Sequence, residues 1–178
     1  MMPDGMFSTA NLMIAVAAFV VMEPATYLLH RFVMHGAGWG WHRSHHRSYN
    51  QADPPRLERN DWFPVVFAVG TIAVMALGVS TESLRFLVPL GVGVTAYGLA
   101  YALVHDGYIH GRLPWPRLRR AGLDRLAESH SLHHRFGGEP YGMLVPVVPA
   151  ALRRRAERSS RSHGQAPGAE ESVAGRVL

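Results

Sequence analysis

Three long apolar segments alternate with polar segments along the chain. The apolar segments cover residues 12–29, 62–79 and 86–104. An α-helix rises about 1.5 Å per residue, so each segment is about long enough to cross a hydrocarbon core of roughly 30 Å. The pattern therefore predicts an all-α integral membrane protein with three transmembrane helices, at about residues 12–33, 62–79 and 86–108.

The polar connections predict how these helices are arranged. A polar connection over residues 47–61, with Pro54-Pro55, predicts a surface loop. The short turn at residues 80–83 joins the second and third helices in a hairpin that leaves one side of the membrane and returns to it. The segments after the first and third helices should therefore lie on the same side.

The distribution of arginine supports this topology and orients it. All 18 basic residues are arginine, and 17 of them fall in residues 31–61 and 105–178, which leaves only Arg85 on the opposite side. Basic residues concentrate on the cytoplasmic side of membrane proteins, so this side is predicted to face the cytoplasm. The net charge of +5 would also suit nucleic acid, but no nucleic-acid-binding motif accompanies it. We expect no nucleic-acid partner.

The C-terminal third contains no further segment long enough to span a membrane. Residues 111–129 mix arginine with tryptophan, which suits either an interfacial segment or an ordinary basic loop. The sequence GMLVPVVP, residues 142–149, is apolar but short and interrupted by proline, and we expect it to cap a hydrophobic substrate entrance. Residues 1–158 are predicted to form the membrane domain, and residues 159–178 a disordered polar tail.

Ten of the eleven histidines form two copies of one pattern, HxxxxH followed by HxxHH. The eleventh, His163, lies in the predicted tail. Neutral imidazole is a ligand for Zn, Cu, Fe and Ni, so the repeated pattern predicts a metal site. The ten candidate ligands are His30, His35, His42, His45 and His46, and then His105, His110, His130, His133 and His134.

The two spacings differ in the angle that a regular α-helix places between their imidazoles. In HxxHH the first imidazole lies within about 60° of both later ones, so all three share a face. In HxxxxH the two imidazoles are about 140° apart on a regular helix. Either the pair serves two metals, or the helix loosens between its members. Gly36 and Gly111 follow the pairs directly and favour helix ends there, and we expect each pair to divide between two ions.

Carboxylates supply the candidate partners of these imidazoles. The chain contains no cysteine, which excludes thiolate ligands and iron–sulfur clusters. Glu23 lies in the first apolar segment, seven residues before His30 on nearly the same face. It could accept a hydrogen bond from the histidine ring nitrogen that does not bind the metal, or make a polar contact within the helix bundle. Asp106 follows His105 but should point away from it on a helix, so we expect it to support a histidine of another motif.

These motifs are similar to those of the bacterial β-carotene hydroxylases, within the membrane-bound fatty acid hydroxylase superfamily of non-haem di-iron enzymes. The segments that carry the resemblance are HRFVMHG, GWGWHRSHH, TAYGLAYALVHDGYIHG and SHSLHH. The resemblance covers roughly residues 10–150. It implies that the ten histidines bind two irons and that O₂ hydroxylates C3 of β-ionone rings, converting β-carotene through β-cryptoxanthin to zeaxanthin. It also implies a bacterial inner-membrane location, a carotenoid substrate taken from the bilayer, and a ferredoxin-type reductant at the cytoplasmic face.

Three alternatives remain open from the residues alone. A sterol or fatty-acyl hydroxylase or desaturase would share the metal site and differ in its apolar channel. A membrane metal-binding or transport protein should carry several ionisable residues within its spans, whereas the three apolar segments of this chain contain only Glu23. A bis-histidine haem protein would need facing pairs rather than ten histidines grouped by threes.

Overall fold

A computed structural model describes residues 8–49, 51, 55–113 and 120–164. Within these residues the regular structure is helical throughout. The α-helices are α1 (Thr9–Leu28), α2 (Trp39–Ser48), α3 (Trp62–Ser80), α4 (Leu87–Ala102), α5 (Ala121–Phe136) and α6 (Ala150–Gly164). Short 3₁₀ turns at Arg59–Asp61 and Glu82–Leu84 precede α3 and α4, and π-helical turns at Leu29–Ala37 and Leu103–Ile109 extend α1 and α4.

Among the described residues, three continuous helical stretches are long and apolar enough to cross a membrane, as predicted. They are Thr9–Ala37, Arg59–Ser80 and Glu82–Ile109. Large apolar side chains cover their outer surfaces; Val20, Val69 and Leu99 are 63, 62 and 61% exposed. Such a surface suits hydrocarbon, where helix association depends on close packing rather than on burial from water.

Small residues allow the spanning helices to approach closely. Gly93 of α4 lies so near the carbonyl oxygen of Ala15 and the methyl group of Ala18 in α1 that a side chain there would collide with both. Gly91 likewise leaves room for Met75 of α3. The helix α4 therefore packs between α1 and α3, which brings the ends of α1 and α4 together on one side.

At their C-terminal ends, α1 and α4 change from α-helix to π-helix, and the two HxxxxH pairs lie at these ends. The Gly38 amide donates to the carbonyl of Val33 over 2.7 Å, and the His110 amide donates to the carbonyl of His105 over 2.9 Å. Each bond spans five residues instead of four, so a residue lies nearly above the one five positions earlier. A π-helical turn is rare and occurs frequently at functional sites.

The two HxxHH motifs lie on the short helices α2 and α5, which follow the spanning stretches. The helix α5 ends at Gly137, which has a φ of 71°, a left-handed conformation that glycine adopts without strain. The segment that follows belongs to the same compact unit up to Val147.

The basic helix α6 falls in a second unit, which begins at Val148. This helix continues to Gly164, so the predicted disordered tail does not start at residue 159. The rest of that prediction, residues 165–178, lies outside the described residues. So do residues 114–119 of the predicted interfacial segment and Pro54 of the predicted loop.

Candidate metal centre

The structure gathers the ten predicted histidines into two neighbouring groups. In each, four imidazoles place one nitrogen within 4.8 Å of one another; these are His30, His35, His42 and His133 in the first group, and His45, His110, His130 and His134 in the second. The Nε2 atom of His46 lies 3.1 Å from that of His133. The ring centroid of His105 lies 4.8 Å from that of His45 and 4.4 Å from that of His110. Each group thus contains five imidazoles.

Each group combines residues from both halves of the sequence. His133 joins four histidines of the first set, and His45 joins four of the second. Because His42 and His133 share a group, the chain does return to the side it left. The predicted hairpin topology is confirmed in this respect.

The two histidines of an HxxxxH pair lie together, contrary to the expectation that they would divide between two ions. The ring centroids are 5.2 Å apart for His30 and His35, and 4.4 Å apart for His105 and His110. The reason is the π-helical turn, which removes most of the angle that a regular α-helix would place between residues i and i+5. The loosened helix, the other possibility that the spacing left open, is the one the structure contains.

Main-chain and side-chain acceptors fix the proton positions of three imidazoles in the first group. Nδ1–H of His30 donates to the carbonyl of Tyr141 over 3.0 Å, and Nδ1–H of His133 donates to the carbonyl of Gly138. Nδ1–H of His42 donates to Oδ1 of Asn60 over 2.8 Å. A carbonyl can only accept, so in the neutral rings the proton lies on Nδ1 and Nε2 carries a free lone pair.

The free lone pairs of His30 and His42 face each other, and that of His133 faces Nε2 of His35. The Nε2 atoms of His30 and His42 are 3.1 Å apart, and Nε2 of His133 lies 3.1 Å from Nε2 of His35. Two lone pairs at this distance repel unless a cation lies between them. Two imidazoles bound at right angles with metal–nitrogen bonds of about 2.1 Å would place their nitrogens about 3.0 Å apart. The arrangement therefore fits a metal ion.

The second group has the same character. The Nε2 atom of His130 lies 3.2 Å from that of His110 and 2.8 Å from that of His134. His45 is only 1% exposed, and its Nε2 atom has no hydrogen-bond partner within the described part of the chain. A buried nitrogen without a partner is costly, and a metal ion would satisfy it.

For four of the imidazoles that lie outside the candidate spans, burial favours the neutral form that binds metal. It lowers the pKa of His42 and of His110 to about 2, that of His46 to about 3 and that of His133 to about 4. Neighbouring imidazoles lower these pKa values further, since a second positive charge nearby is unfavourable. At neutral pH all four rings are therefore uncharged.

These lowered pKa values predict a loss of stability in acid. The unfolded chain takes up protons below pH 6.5, whereas the folded one resists them down to about pH 4 for His133 and lower for His42. The stability of chelator-treated protein should therefore be constant from pH 7 to 8 and fall from about pH 6.5 towards pH 4. In detergent we expect the melting temperature to drop by about 5 °C or more over that interval. An unchanged value at pH 5 would contradict this prediction.

Asp106 does contact a histidine, but a different one from that expected. Its Oδ1 atom accepts a hydrogen bond of 3.0 Å from Nδ1–H of His105, its direct neighbour. The expectation that it would support another motif assumed a regular α-helix, whereas His105 and Asp106 lie in a π-helical turn. Arg112 lies 3.5 Å from the same oxygen and also binds both carboxylate oxygens of Asp61, at 2.8 and 2.7 Å.

Of the two roles considered for Glu23, the structure shows the polar contact within the helix bundle. Its carboxylate accepts hydrogen bonds from Tyr97 and from the backbone of residues 143–145, and in the part of the chain that the structure describes it bonds to no histidine. Its partners are more than 70 residues away in sequence. Helical periodicity could not indicate them.

Two supporting residues were missed because they lie in the segment predicted as a surface loop. Asn60 is 7% exposed and accepts from His42, as described above. The Glu58 carboxylate is buried, with Oε2 3.7 Å from Nδ1 of His45. The available signal was the run of polar residues from Glu58 to Asp61, immediately before an apolar segment and on the histidine side.

Comparison with known proteins finds a family and several relatives. The fatty acid hydroxylase family model matches residues 15–150. A β-carotene hydroxylase from Pseudescherichia vulneris is 40% identical over 148 residues, which cover 80% of this chain and 81% of the relative. One from Pantoea ananas is 36% identical over 173 residues, covering 92 and 95%.

A plant protein is also similar. The chloroplastic β-carotene 3-hydroxylase 2 of Arabidopsis thaliana is 36% identical over 148 residues, which cover 79% of this chain and 46% of that longer protein. No solved structure matches the chain.

Proposed function

Because the chain belongs to the fatty acid hydroxylase family, whose model matches residues 15–150, we propose that it is a β-carotene 3-hydroxylase. The substrate class comes from bacterial relatives named β-carotene hydroxylase and from a plant relative named β-carotene 3-hydroxylase 2, which are 36–40% identical to it. The reaction would convert β-carotene through β-cryptoxanthin to zeaxanthin. The observation that carries the proposal is the pair of five-imidazole groups with their Nε2 atoms facing inward.

The donor set and the reaction together favour iron. Imidazole suits Zn, Cu, Fe and Ni, but Zn²⁺ has no redox chemistry. Hydroxylation inserts one oxygen atom of O₂ into a C–H bond and reduces the other to water with two electrons and two protons. We assign one iron to each group, with the ten predicted histidines as ligands. When bound, these metals supply the O₂ chemistry that side chains cannot.

The chain holds the two groups close together through shared helices. His42 and His46 of α2 belong to the first group and His45 of the same helix to the second. His133 and His134 of α5 divide in the same way, and the ring centroids of His46 and His134 are 4.6 Å apart. The residues that would hold the two metals therefore meet at this boundary.

The position of the groups along the helices suits a substrate dissolved in the bilayer. His30 and His35 lie within the first candidate span, and His105 lies near the end of the third. A long polyene could present its ring end there without leaving the hydrocarbon. Trp39, which is 41% exposed, packs against His35 with ring centroids 5.3 Å apart and offers an apolar surface beside the first group.

The orientation in the membrane follows from charge. With 17 of 18 arginines on the histidine side, we assign that side to the cytoplasm of the bacterial inner membrane. The two electrons for each turnover would come from a ferredoxin-type reductant that docks at this face. Membrane lipid is the remaining partner.

Expression in a host that accumulates β-carotene tests the substrate. We expect β-cryptoxanthin and zeaxanthin to appear on chromatography, and a His45→Ala variant produced at equal level should give neither. His45 is the matched loss-of-metal control because its Nε2 is a buried atom that has no hydrogen-bond partner among the described residues. Unaltered carotene together with a hydroxylated sterol or fatty acid would contradict the proposed substrate and leave the metal site unaffected.

A further inference from the structure

The segment after α5 contacts the last turns of α1 and the π-helical turn that extends it. We refer to residues 137–145 as the strap. Its backbone and its Glu139 side chain meet one face of the first spanning stretch, where Glu23, Tyr27 and Arg31 follow one another at intervals of four residues. Contacts at both ends of the strap fix it to this face.

The deeper contact is made by the Glu23 carboxylate. Its Oε1 atom accepts from the backbone N–H groups of Met143 and Val145, each over 2.9 Å. Its Oε2 atom accepts from the N–H of Leu144 over 3.1 Å and from the hydroxyl of Tyr97 over 2.6 Å. Four donors thus converge on one carboxylate, which acts only as an acceptor.

Space at this contact is limited. A side chain at Gly142 would place its Cβ 3.0 Å from Oε1 of Glu23. The absence of a side chain there allows the strap backbone to lie directly against the carboxylate. Tyr97 and Met143 are each only 2% exposed, so the contact is enclosed on both sides.

The depth of the contact makes it energetically important. Glu23 precedes His30 by seven residues and so lies about 10 Å further along the helix axis, inside the candidate span Thr9–Ala37. Backbone N–H groups at such a depth need a protein acceptor, because hydrocarbon offers none. Without the carboxylate, three consecutive strap amides would have no partner.

A second contact lies nearer the membrane surface. The hydroxyl of Tyr27 donates to Oε1 of Glu139 over 2.7 Å, and Arg31 lies 3.3 Å from the same oxygen. The amide of Tyr141 donates to Oε2 of Glu139 over 3.3 Å. The strap is therefore held on both sides of Tyr141.

Among the described residues, the carbonyls of the strap accept hydrogen bonds from histidines of the first group only. The carbonyl of Gly138 accepts from Nδ1–H of His133, and the carbonyl of Tyr141 accepts from Nδ1–H of His30. Both imidazoles belong to the first group. The second group receives no such hydrogen bond from strap carbonyls among the described residues.

We propose that Glu23 is a positioning residue, which holds the strap so that its carbonyls orient His30 and His133 towards the first metal. Among the described residues, Glu23 bonds to no histidine. Its effect passes through the backbone of the strap. This inference rests on the proposed function, since it assumes one metal in each group.

The variant Glu23→Gln keeps the shape of the side chain but replaces one accepting oxygen with an NH₂ donor. At least one strap amide, or the Tyr97 hydroxyl, then loses its acceptor. Glu82→Gln is the matched control, because Glu82 is exposed and lies in the turn between α3 and α4. The same chemical change is thus made at a carboxylate on the other side of the membrane.

Two measurements on full-length protein loaded with ⁵⁷Fe test the inference. Hydrogen exchange followed by mass spectrometry should show the peptide that contains residues 139–147 exchanging about tenfold faster in Glu23→Gln than in wild type. Mössbauer spectra should show one of two iron components altered or diminished and the other unchanged. A His35→Ala variant identifies the component of the first group, and Glu82→Gln should match wild type in both measurements.

The outcomes separate this inference from the proposed function. Equal loss of both iron components in Glu23→Gln would indicate general destabilisation and would overturn the positioning role. So would two unchanged components, whether or not the strap exchanges faster. Wild-type protein that holds no iron would instead overturn the proposed function itself.

Discussion

Replacing His133 with alanine is expected to abolish hydroxylation while leaving the protein in the membrane. Its Nε2 atom faces the Nε2 atoms of His35 and His46, each at 3.1 Å, and the side chain is fully buried. Removing a partner behind a metal ligand typically lowers activity about 10–100-fold, so removal of a ligand itself should lower it by more than about 100-fold. Conversion of β-carotene in membranes of matched protein content measures this.

The eleventh histidine provides the control for this variant. His163 lies outside the repeated pattern, and His163→Ala should retain full conversion. Product formation by His133→Ala at the wild-type rate would remove His133 from the site. Loss of the protein from the membrane fraction would show that the residue acts on folding instead.

Replacing Gly93 with valine is expected to disrupt the packing of α4 against α1. Any side chain at this position would collide with the Ala15 carbonyl and the Ala18 methyl group. Overpacking typically costs about 1–3 kcal/mol, and a clash with backbone lies at the upper end of that range. We expect the melting temperature in detergent to fall by roughly 5–10 °C, with a matching loss of folded protein.

The same substitution at Gly98 is the control. Gly98 lies on the same helix, and a side chain there would meet no atom within 4 Å. Gly98→Val should therefore melt close to wild type. Equal destabilisation by the two substitutions would mean that loss of glycine in α4, rather than contact with α1, is responsible.

The sequence predicted the three spans and the convergence of the histidines because both depend on simple periodicities. Apolar length identifies a span, and HxxHH places three imidazoles on one face of any α-helix. The hairpin topology then required the two sets to meet on one side. His42 and His133, which are 91 residues apart, share a group for this reason.

The same reasoning failed where the backbone departs from the α-helix. The expected division of His30 from His35, and the expected direction of Asp106, both assumed about 100° per residue. The π-helical turns change that angle, and no residue pattern in the sequence distinguishes them from regular helix. Glycine after each pair indicated a helix end but not how the helix would end.

Contacts between distant segments were beyond any local pattern. The partners of Glu23 lie 74 to 122 residues away along the chain. The short apolar segment after α5 was expected to cap a substrate entrance, and this stays a prediction. What the sequence could not indicate is that the amides of residues 143–145 bind that carboxylate inside the first span. The contacts of Asn60 and Glu58 with histidines were not predicted, because polar composition predicts a loop but not the direction in which its side chains point.

The metal content of the purified protein tests the central claim most directly, namely that two five-imidazole groups each hold one iron. Elemental analysis of full-length protein should give about two irons per chain, and the absorption spectrum should lack a Soret band. A haem spectrum, or full hydroxylase activity with an iron content near zero, would contradict the claim.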